Sequence, residues 1–333
     1  MSPARGVQQA DPWTTVVADA GGRYGIHPSW RGFEAPLAYT LYEPEPEEAA
    51  RLAAKYAARD EIAVRPCALG AVPGTTTTLW ITAHRGYVGA QKPNPDSVWF
   101  GQVRPDEGSV EGAVEVPSTT LDSEYADQDR RADFLKVDVE GAELAVLQGA
   151  ARTLDRVLAL RVEIQFDESF ERQTASEILQ HLIDGHRFRL MRFDYAGRGQ
   201  PVSYLVGEDS YGILTGCDGV FARRPDTVAA WGGEAAVAGL TKLAVFALRN
   251  GMADYAVSCL EHLAEAGSWP AQEPGGEPAL RRYLRKLFTL SALRARSVSG
   301  DLYERARADY LRFFAVPMLE RNDVFESDWM NPG

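Results

Sequence analysis

The strongest local pattern in the chain is the run Ala132-Asp133-Phe134-Leu135-Lys136-Val137-Asp138-Val139-Glu140-Gly141-Ala142-Glu143. Its apolar part predicts a strand over Asp133–Val139, and the spacing of the apolar residues that follow predicts a helix over Ala142–Leu154. Strand alternation places Lys136 and Asp138 on the same side of this strand. The run is therefore one strand-turn-helix unit with charged residues at its turn.

The alternation of strands and helices extends over the first two-thirds of the chain. It indicates an α/β fold in which helices cover both faces of a mainly parallel, Rossmann-like sheet. The seven predicted strands are Thr14–Ala20, Ala38–Glu43, Glu61–Ala68, Asp133–Val139, Val157–Phe166, Phe188–Phe193 and Gly219–Arg223. The helices predicted between them are Glu47–Arg59, Ala142–Leu154 and Ala175–Ile183.

Two glycine-rich segments interrupt this alternation, Ala83–Pro117 and Tyr195–Asp218. We expect them to be long insertions beside the functional edge of the sheet, because loops of this length are usually functional lids or disordered insertions. After Arg224-Pro225 helical periodicity dominates. The sequence thus predicts a domain over residues 1–225 and a helical extension over residues 226–333, which would cover the substrate cleft or form a homodimer interface.

The composition limits the classes of partner. The chain has 333 residues and a formal net charge of −12, and no dense run of Lys and Arg of the kind that binds nucleic acids. The first residues lack the apolar core of a signal peptide, and no apolar run reaches the roughly 18 residues of a membrane span. Three cysteines are too few for a disulfide scaffold. We expect a cytoplasmic protein with a small acceptor and no nucleic-acid or membrane partner.

A glycine-rich turn follows the first predicted strand. Asp19 ends the strand, and Gly21 and Gly25 follow it in the spacing D-x-G-x-x-x-G. Ligands of open parallel sheets bind outside the carboxyl ends of the strands. Glu43 ends the next strand, where a carboxylate could accept both hydroxyls of a ribose. Spacing alone leaves S-adenosylmethionine, NAD and a turn without a ligand as alternatives.

The run from Asp133 to Glu143, continued by Leu147-Gln148-Gly149-Ala150, resembles the D-F-L-K-x-D-x-x-G-x-E…L-x-G-A signature of FkbM-family methyltransferases. The resemblance covers roughly residues 14–224. One departure is Gly22-Arg23, where members of the family usually carry Ala-Asn. The resemblance implies a class I methyltransferase fold with S-adenosylmethionine as cofactor.

The same resemblance implies the cofactor-binding residues. They are Asp19, Gly21 and Gly25 on the methionine side, Gly22 and Tyr24 beside them, Glu43 at the ribose, and Cys67 and Ala68 near the adenine ring.

Methyl transfer to a hydroxyl needs a group that takes the proton. The candidates are Asp138 or Glu140, held in place by Lys136, with His84 as the alternative. A lysine in an apolar strand needs a counter-charge, for which Asp138 and Glu163 are the candidates. A plain salt bridge between adjacent strands is an equally good interpretation of these residues.

Asp138, Glu140 and Glu163 could also gather Mg²⁺, which prefers oxygen ligands. No metal motif in the sequence demands an ion, so we assign no metal ligands and expect no obligatory metal. Aromatic residues in and around the first insertion could stack on a sugar or macrocycle; they are Trp80, Tyr87, Trp99 and Phe100.

The resemblance implies O-methylation of a hydroxyl on a natural product or a glycan sugar. Two alternatives stay open. One is N-methylation of an amine or amide, which needs no strong base; the other is a non-catalytic cofactor-binding domain with a helical interaction module.

Overall fold

The computed structural model describes residues 11–126, 131–172, 174–199, 212–265 and 278–314. The chain divides into two units. Within the described part, the first unit consists of Val16–His27 and Ala38–Arg223, and the second of residues 11–15, Pro28–Leu37 and residues 224–314.

Strands and helices alternate in the first unit, and helices make up most of the second. The strands are β1 Thr15–Ala20, β2 Leu37–Tyr42, β3 Ile62–Arg65, β4 Ala68–Leu69, β5 Thr75–Thr82, β6 Val110–Thr119, β7 Phe134–Val137, β8 Ala159–Gln165, β9 Phe188–Gly199 and β10 Ile213–Arg223. The helices are α1 Pro46–Lys55, α2 Leu121–Glu124, α3 Glu143–Gln148, α4 Ala151–Leu154, α5 Ala175–Gln180, α6 Pro225–Ala229, α7 Gly233–Arg249, α8 Ala253–Glu265, α9 Ala279–Arg296 and α10 Gly300–Phe314.

Seven strands form the main sheet in the order β3-β2-β1-β7-β8-β10-β9. β2 and β3, β1 and β7, and β7 and β8 pair in parallel, whereas β10 is antiparallel to both of its neighbours. The predicted α/β, Rossmann-like fold with a C-terminal helical extension is confirmed. The strand order reverses between β1 and β7, and in open α/β sheets ligands bind at such a point.

The central strands are apolar because both faces of the sheet are covered. All six residues of β1 are buried, and in β7 Phe134, Leu135 and Val137 are buried beside the partly exposed Lys136. Parallel strands that are buried on both faces show such continuous apolar runs. These runs are the reason that β1 and β7 are visible in the sequence.

The predicted insertion Ala83–Pro117 is wrong in part, since β6 begins inside it. β6 pairs with β5 and with the two residues of β4 in a separate three-stranded sheet. The predicted strand Glu61–Ala68 is also corrected: β3 ends at Arg65, and Ala68 starts the small sheet. β5 has the sequence TTTTLWIT with its first residues exposed, so it lacks the apolar run that marks a buried strand.

The predicted loop Tyr195–Asp218 is wrong over its described residues, because β9 continues to Gly199 and β10 starts at Ile213. The register of this hairpin shifts on both sides of Gly216, which marks an irregularity such as a β-bulge. Glycine inside a strand often marks a bulge rather than a loop. Residues 200–211 of the prediction lie outside the described residues.

The predicted helix Ala142–Leu154 is divided into α3 and α4 by a turn at Gly149. A Cβ atom on Gly149 would lie 2.0 Å from the carbonyl oxygen of Gly70, so the backbone itself packs there. α1 ends four residues before the predicted Arg59, and the helix predicted over Ala175–Ile183 continues as a wider helical turn through Gly185.

The second unit is built around α7, which is buried along most of its length. α8 and α9 pack on α7, and α10 packs on α9. Rings fill the space between α9 and α10, where Tyr310 and Phe314 lie 6.0 and 5.9 Å from Phe288 between ring centroids. None of the helices in the described residues combines the length and the apolar character that crossing a membrane requires.

The segment Pro28–Leu37 packs on the helices of the second unit. The Arg249 guanidinium donates hydrogen bonds to the carbonyl oxygens of Ser29 and Arg31, each at 2.8 Å. Lys286 pairs with Glu34 at 2.9 Å. A surface segment far away in the sequence is thus fixed to α7 and α9 by charge and hydrogen bonds.

We expect Gly21→Ala to destabilise the protein more than Gly74→Ala. Both glycines have positive φ, at 82° and 69°, so each substitution strains the backbone by roughly 1–2 kcal/mol. At Gly21, however, a Cβ atom would lie 1.7 Å from the Asp138 carbonyl oxygen, whereas at Gly74 it meets open space. The clash adds about 1–3 kcal/mol to the loss in free energy of unfolding, measured in urea. Equal losses in the two variants would show that the β1 and β7 ends do not depend on this approach.

Candidate functional site

A cleft opens at the carboxyl ends of β1, β2 and β7, where the strand order reverses. Seven of the predicted site residues line it: Gly21, Tyr24, Glu43, Cys67, Ala68, Asp138 and Glu140. The cleft holds about 700 Å³ of empty space including its open mouth. The other predicted site residues lie outside this lining and affect it through their contacts; they are Asp19, Gly22, Gly25, Lys136 and His84.

The glycine-rich turn after β1 lets the backbone approach its neighbours closely. The N–H groups of Gly21 and Gly22 both donate to the carbonyl oxygen of Tyr42 on β2, at 3.1 Å each. A Cβ on Gly22 would come 2.9 Å from Leu41, and one on Gly25 would come 2.3 Å from the Tyr56 hydroxyl. Gly22 and Gly25 therefore shape the turn by packing, behind the cleft.

A buried ion cluster joins the ends of β1 and β7. The parallel register pairs Asp19 with Lys136, and the Lys136 ammonium lies 3.3 Å from Asp19 and 3.2 Å from Asp138. The ammonium also donates to the Gly21 carbonyl oxygen at 3.2 Å. Of the two counter-charges predicted for Lys136, the structure therefore shows Asp138. Glu163 is not a partner, and Asp19 is a partner that the sequence did not indicate.

The charges in this cluster depend on one another. Burial lowers the pKa of Lys136, but the charges of Asp138 and Asp19 outweigh it, so that the net pKa is raised. Asp19 is 1% exposed, and burial raises its pKa even though Lys136 and the Tyr39 hydroxyl oppose the shift. Tyr39 donates its hydroxyl hydrogen to Asp19. Asp19 is therefore a structural residue that supports the cleft without lining it.

Glu43 ends in the cleft just beyond β2. It is 4% exposed, and its carboxylate accepts a hydrogen bond from the Glu45 N–H at 2.9 Å. Burial raises the pKa of Glu43 to about 7. The Arg23 guanidinium, which also lines the cleft, forms an ion pair with Glu45. Glu45 was not singled out from the sequence, although it follows Glu43 by only two residues.

An apolar wall lies opposite the glycine turn. Cys67 and Ala68 contribute to it together with Leu69, Leu79 and Val88. Burial raises the pKa of the Cys67 thiol to about 11, so the side chain is neutral at physiological pH. A neutral, apolar wall of this kind suits a flat aromatic ring.

Glu140 and Glu143 have different roles in the loop after β7. Glu143 is buried, and its carboxylate accepts hydrogen bonds from the N–H groups of Val139 and Gly141, at 2.9 and 3.2 Å. Glu140 precedes α3 and has a φ of 59° in the left-handed region. Glu143 was missed in the sequence as a contributor to the site, although an acid in the first turn of a helix is a recognisable signal.

Burial sets the pKa values of these two acids. It raises the pKa of Glu143 to about 7. Burial and the charges of Asp138 and Glu143 raise the pKa of Glu140 well above its usual range.

A second cavity adjoins the cleft and shares Glu140 with it. Its lining includes Glu163 and Asp218, and of the predicted aromatic residues Tyr87, Trp99 and Phe100. Carboxylate oxygens of Asp138, Glu140 and Glu163 all lie within 4.8 Å of one another, which is a spacing that a metal ion could bridge. The structure thus brings together the three acids that were considered as Mg²⁺ ligands.

His84 does not face either cavity. Its Nδ1 accepts a hydrogen bond from the Gly86 N–H at 3.2 Å, and its ring lies 5.1 Å from that of Tyr87. These contacts shape the turn that carries Tyr87. The structure places His84 outside both cavities and gives it a structural contact instead.

The match to known proteins falls on this same part of the chain. Residues 33–190 match the methyltransferase FkbM domain. The predicted resemblance to the FkbM methyltransferases is confirmed. The matched segment contains Glu43, the β7 run and Glu163, and it supports a methyltransferase as the coarse class of the protein.

Solved structures with similar folds are distant. Methyltransferase FkbM from Methylobacillus flagellatus KT is 16% identical with a TM-score of 0.34, and the match covers 62% of this chain and 43% of that one. An rRNA methylase from Streptococcus thermophilus is 8% identical, with a TM-score of 0.31 and coverage of 63% and 87%. A putative RNA methyltransferase from Pyrococcus horikoshii is 9% identical, with a TM-score of 0.32 and coverage of 62% and 74%. No curated protein matches the sequence.

We expect Lys136→Met to destabilise the protein by about 3–5 kcal/mol, because it leaves the buried Asp19 carboxylate without its cation. Adding Asp19→Asn to this variant should restore part of the loss, since no unpaired charge then stays buried. Urea denaturation measures both changes. Arg59→Met, which breaks the exposed pair with Glu61, is the control and should change the free energy of unfolding by less than about 1 kcal/mol. Similar losses in Lys136→Met and the control would contradict a supporting role for the cluster.

We also expect the affinity for S-adenosylhomocysteine to rise between pH 6 and pH 8. An ionised Glu43 accepts hydrogen bonds from ribose hydroxyls better than the protonated acid, and the pKa of Glu43 is raised to about 7. The ionised fraction then grows by roughly tenfold over this range. Calorimetric titration of wild type and Glu43→Gln tests it, with Glu61→Gln as the control. If the pH dependence persisted in Glu43→Gln, another titrating group would be its cause.

Proposed function

We propose that the protein is an S-adenosylmethionine-dependent methyltransferase that methylates a hydroxyl group on a small acceptor, a natural product or a glycan sugar. The observation that carries the proposal is the position of Glu140, which lines both the cleft and the adjoining cavity. A carboxylate at this junction lies between a bound cofactor and a bound acceptor. The matched methyltransferase domain supports the reaction class.

The residues of the cleft fit an adenosyl cofactor. A backbone without a Cβ at Gly21, a buried acid at Glu43 and an apolar wall at Ala68 correspond to the methionine, ribose and adenine parts in turn. The Arg23 guanidinium, which would repel a sulfonium, is neutralised by Glu45. When bound, S-adenosylmethionine would supply an electrophilic methyl group.

The task left to the protein is to orient the hydroxyl and to take its proton. Glu140 is the candidate acceptor of that proton, because a raised pKa makes a carboxylate a stronger base. Asp138 is held by Lys136 at 3.2 Å and so stays fixed beside it. Glu163 lies close to both, and burial together with the charge of Glu140 raises its pKa well above the usual range.

An amine acceptor would need no such base, since a neutral amine already has a free electron pair. The three clustered carboxylates therefore favour O-methylation over N-methylation. The net charge of −12 supports a non-nucleic-acid acceptor.

Two measurements test the class and the acceptor. S-adenosylhomocysteine should raise the unfolding temperature where NAD does not, because only a ligand of the native state stabilises it. Release of S-adenosylhomocysteine should then be found with hydroxylated acceptors. Release with amines alone would establish the N-methyltransferase instead, and cofactor binding with no turnover at all would establish a non-catalytic domain.

Glu140→Gln should lower kcat by about 10²–10⁴-fold, the typical contribution of a positioned base, while S-adenosylhomocysteine still binds. Asp138→Asn should lower it as well, because Glu140 loses a neighbouring negative charge that helps to raise its pKa. In the wild type, kcat should rise with pH as the raised pKa of Glu140 is passed. Glu115→Gln, which lies on the small sheet, serves as the control. Full turnover in both carboxylate variants would rule out the assigned base.

A further inference from the structure

The second cavity contains two acids that no described residue pairs with. Glu140 and Glu163 line it, and neither forms an ion pair with a described residue. The Oε2 atom of Glu163 is buried and has no hydrogen-bond partner. Asp218 on the same wall differs, since the Arg161 guanidinium lies 3.2 Å from it. The unpaired acids of this cavity are therefore two side chains, and burial and the neighbouring carboxylates raise the pKa of both well above the usual range.

Aromatic rings form another part of the wall. Phe100 lies edge-on to Tyr87 at 5.1 Å and to Phe170 at 5.7 Å between ring centroids, so that the three rings support one another. All three line the cavity. Rings of this kind exclude water, and with less water the attraction between a carboxylate and a cation becomes stronger.

A buried carboxylate without a partner is costly in free energy unless something pairs with it. We propose that this cavity binds the protonated amino group of the acceptor, so that the acceptor is an amino-bearing alcohol such as an amino sugar. The ammonium lies between Glu163 and the rings, and its electrostatic partner is the Glu163 carboxylate. The role of this ligand as methyl acceptor rests on the proposed function, whereas its binding does not.

An organic ammonium fits this cavity better than a divalent metal ion. A divalent ion takes six or more oxygen ligands, several of them waters. The rings of Phe100 and Phe170 offer no oxygen, but they do attract an organic cation through their π faces. Of the three acids whose spacing suits a metal ion, only Glu140 and Glu163 line this cavity, so a metal ion there would have to complete its coordination with water against the rings.

The test compares matched pairs of probes by calorimetric titration of the full chain at neutral pH. The pairs are ethanolamine with N-acetylethanolamine, D-glucosamine with N-acetyl-D-glucosamine, and tyramine with N-acetyltyramine. Each pair differs in the positive charge of one nitrogen. We expect at least one amine to bind about tenfold more tightly than its acetylated partner, a difference typical of one charge-assisted contact.

Variants locate the contact. Glu163→Gln should remove the preference for the amine and leave S-adenosylhomocysteine affinity unchanged, because Glu163 lines only the second cavity. Glu115→Gln, on the exposed face of the small sheet, should retain the preference. The wild-type comparison needs no variant, so the test does not depend on the folding of Glu163→Gln.

Two outcomes overturn the proposal. In the first, no amine binds more tightly than its acetylated partner. In the second, Mn²⁺ titrated alone binds in wild type and not in Glu163→Gln, and displaces the amines, which would make the acids a metal site. Failure of the proposed function is seen separately, as absence of S-adenosylhomocysteine binding, and the amine comparison can still be made without that ligand.

Discussion

The carboxyl ends of the two central strands are held together by one buried ammonium. Lys136 on β7 lies opposite Asp19 on β1, and a cation in this position is stable only because two carboxylates and a carbonyl oxygen surround it. The turn at Gly21 and the loop that begins at Asp138 both start from this point. Two walls of the cleft therefore depend on one ion cluster, and neither wall can move without changing its geometry.

The loop after β7 shows how the backbone adapts to this constraint. The Asp138 carbonyl oxygen occupies the space where a side chain at position 21 would lie. Glu143 then accepts hydrogen bonds from two backbone N–H groups of the loop, which fixes Glu140 between them. A non-glycine residue in the left-handed region persists only where its surroundings impose it, and such residues cluster at functional sites. The conformation of Glu140 is thus imposed by its neighbours.

The sequence predicted the main sheet well and the surrounding elements poorly, for a physical reason. Strands buried on both faces, such as β1 and β7, are continuous apolar runs and can be recognised without any knowledge of their neighbours. β5 begins with four exposed or half-exposed threonines, and β10 contains Gly216 at a shift in register, so neither has that signature. Partners across strands are harder still, because register decides them. For this reason the alternation along β7 was enough to predict Asp138 as a partner of Lys136. The pairing of Asp19 with Lys136 was found only in the structure.

The acids of the site differ in how completely the protein pairs or hydrogen-bonds their carboxylate oxygens. This difference distinguishes the acids that support the structure from those that are available for function. Asp19 forms an ion pair with Lys136 and accepts a hydrogen bond from Tyr39, although its Oδ1 atom has no hydrogen-bond partner, and Glu143 accepts hydrogen bonds from backbone N–H groups. Glu163 keeps a buried oxygen without a partner, and Glu140 has no ion pair with a described residue. A fold selected for stability alone would have no reason to retain such groups, since an unsatisfied buried acid destabilises the native state. Proteins accept violations of this kind mainly where function requires them. Glu140 and Glu163 both line the second cavity, with carboxylate oxygens within 4.8 Å of each other, so the destabilisation is concentrated where a ligand can relieve it.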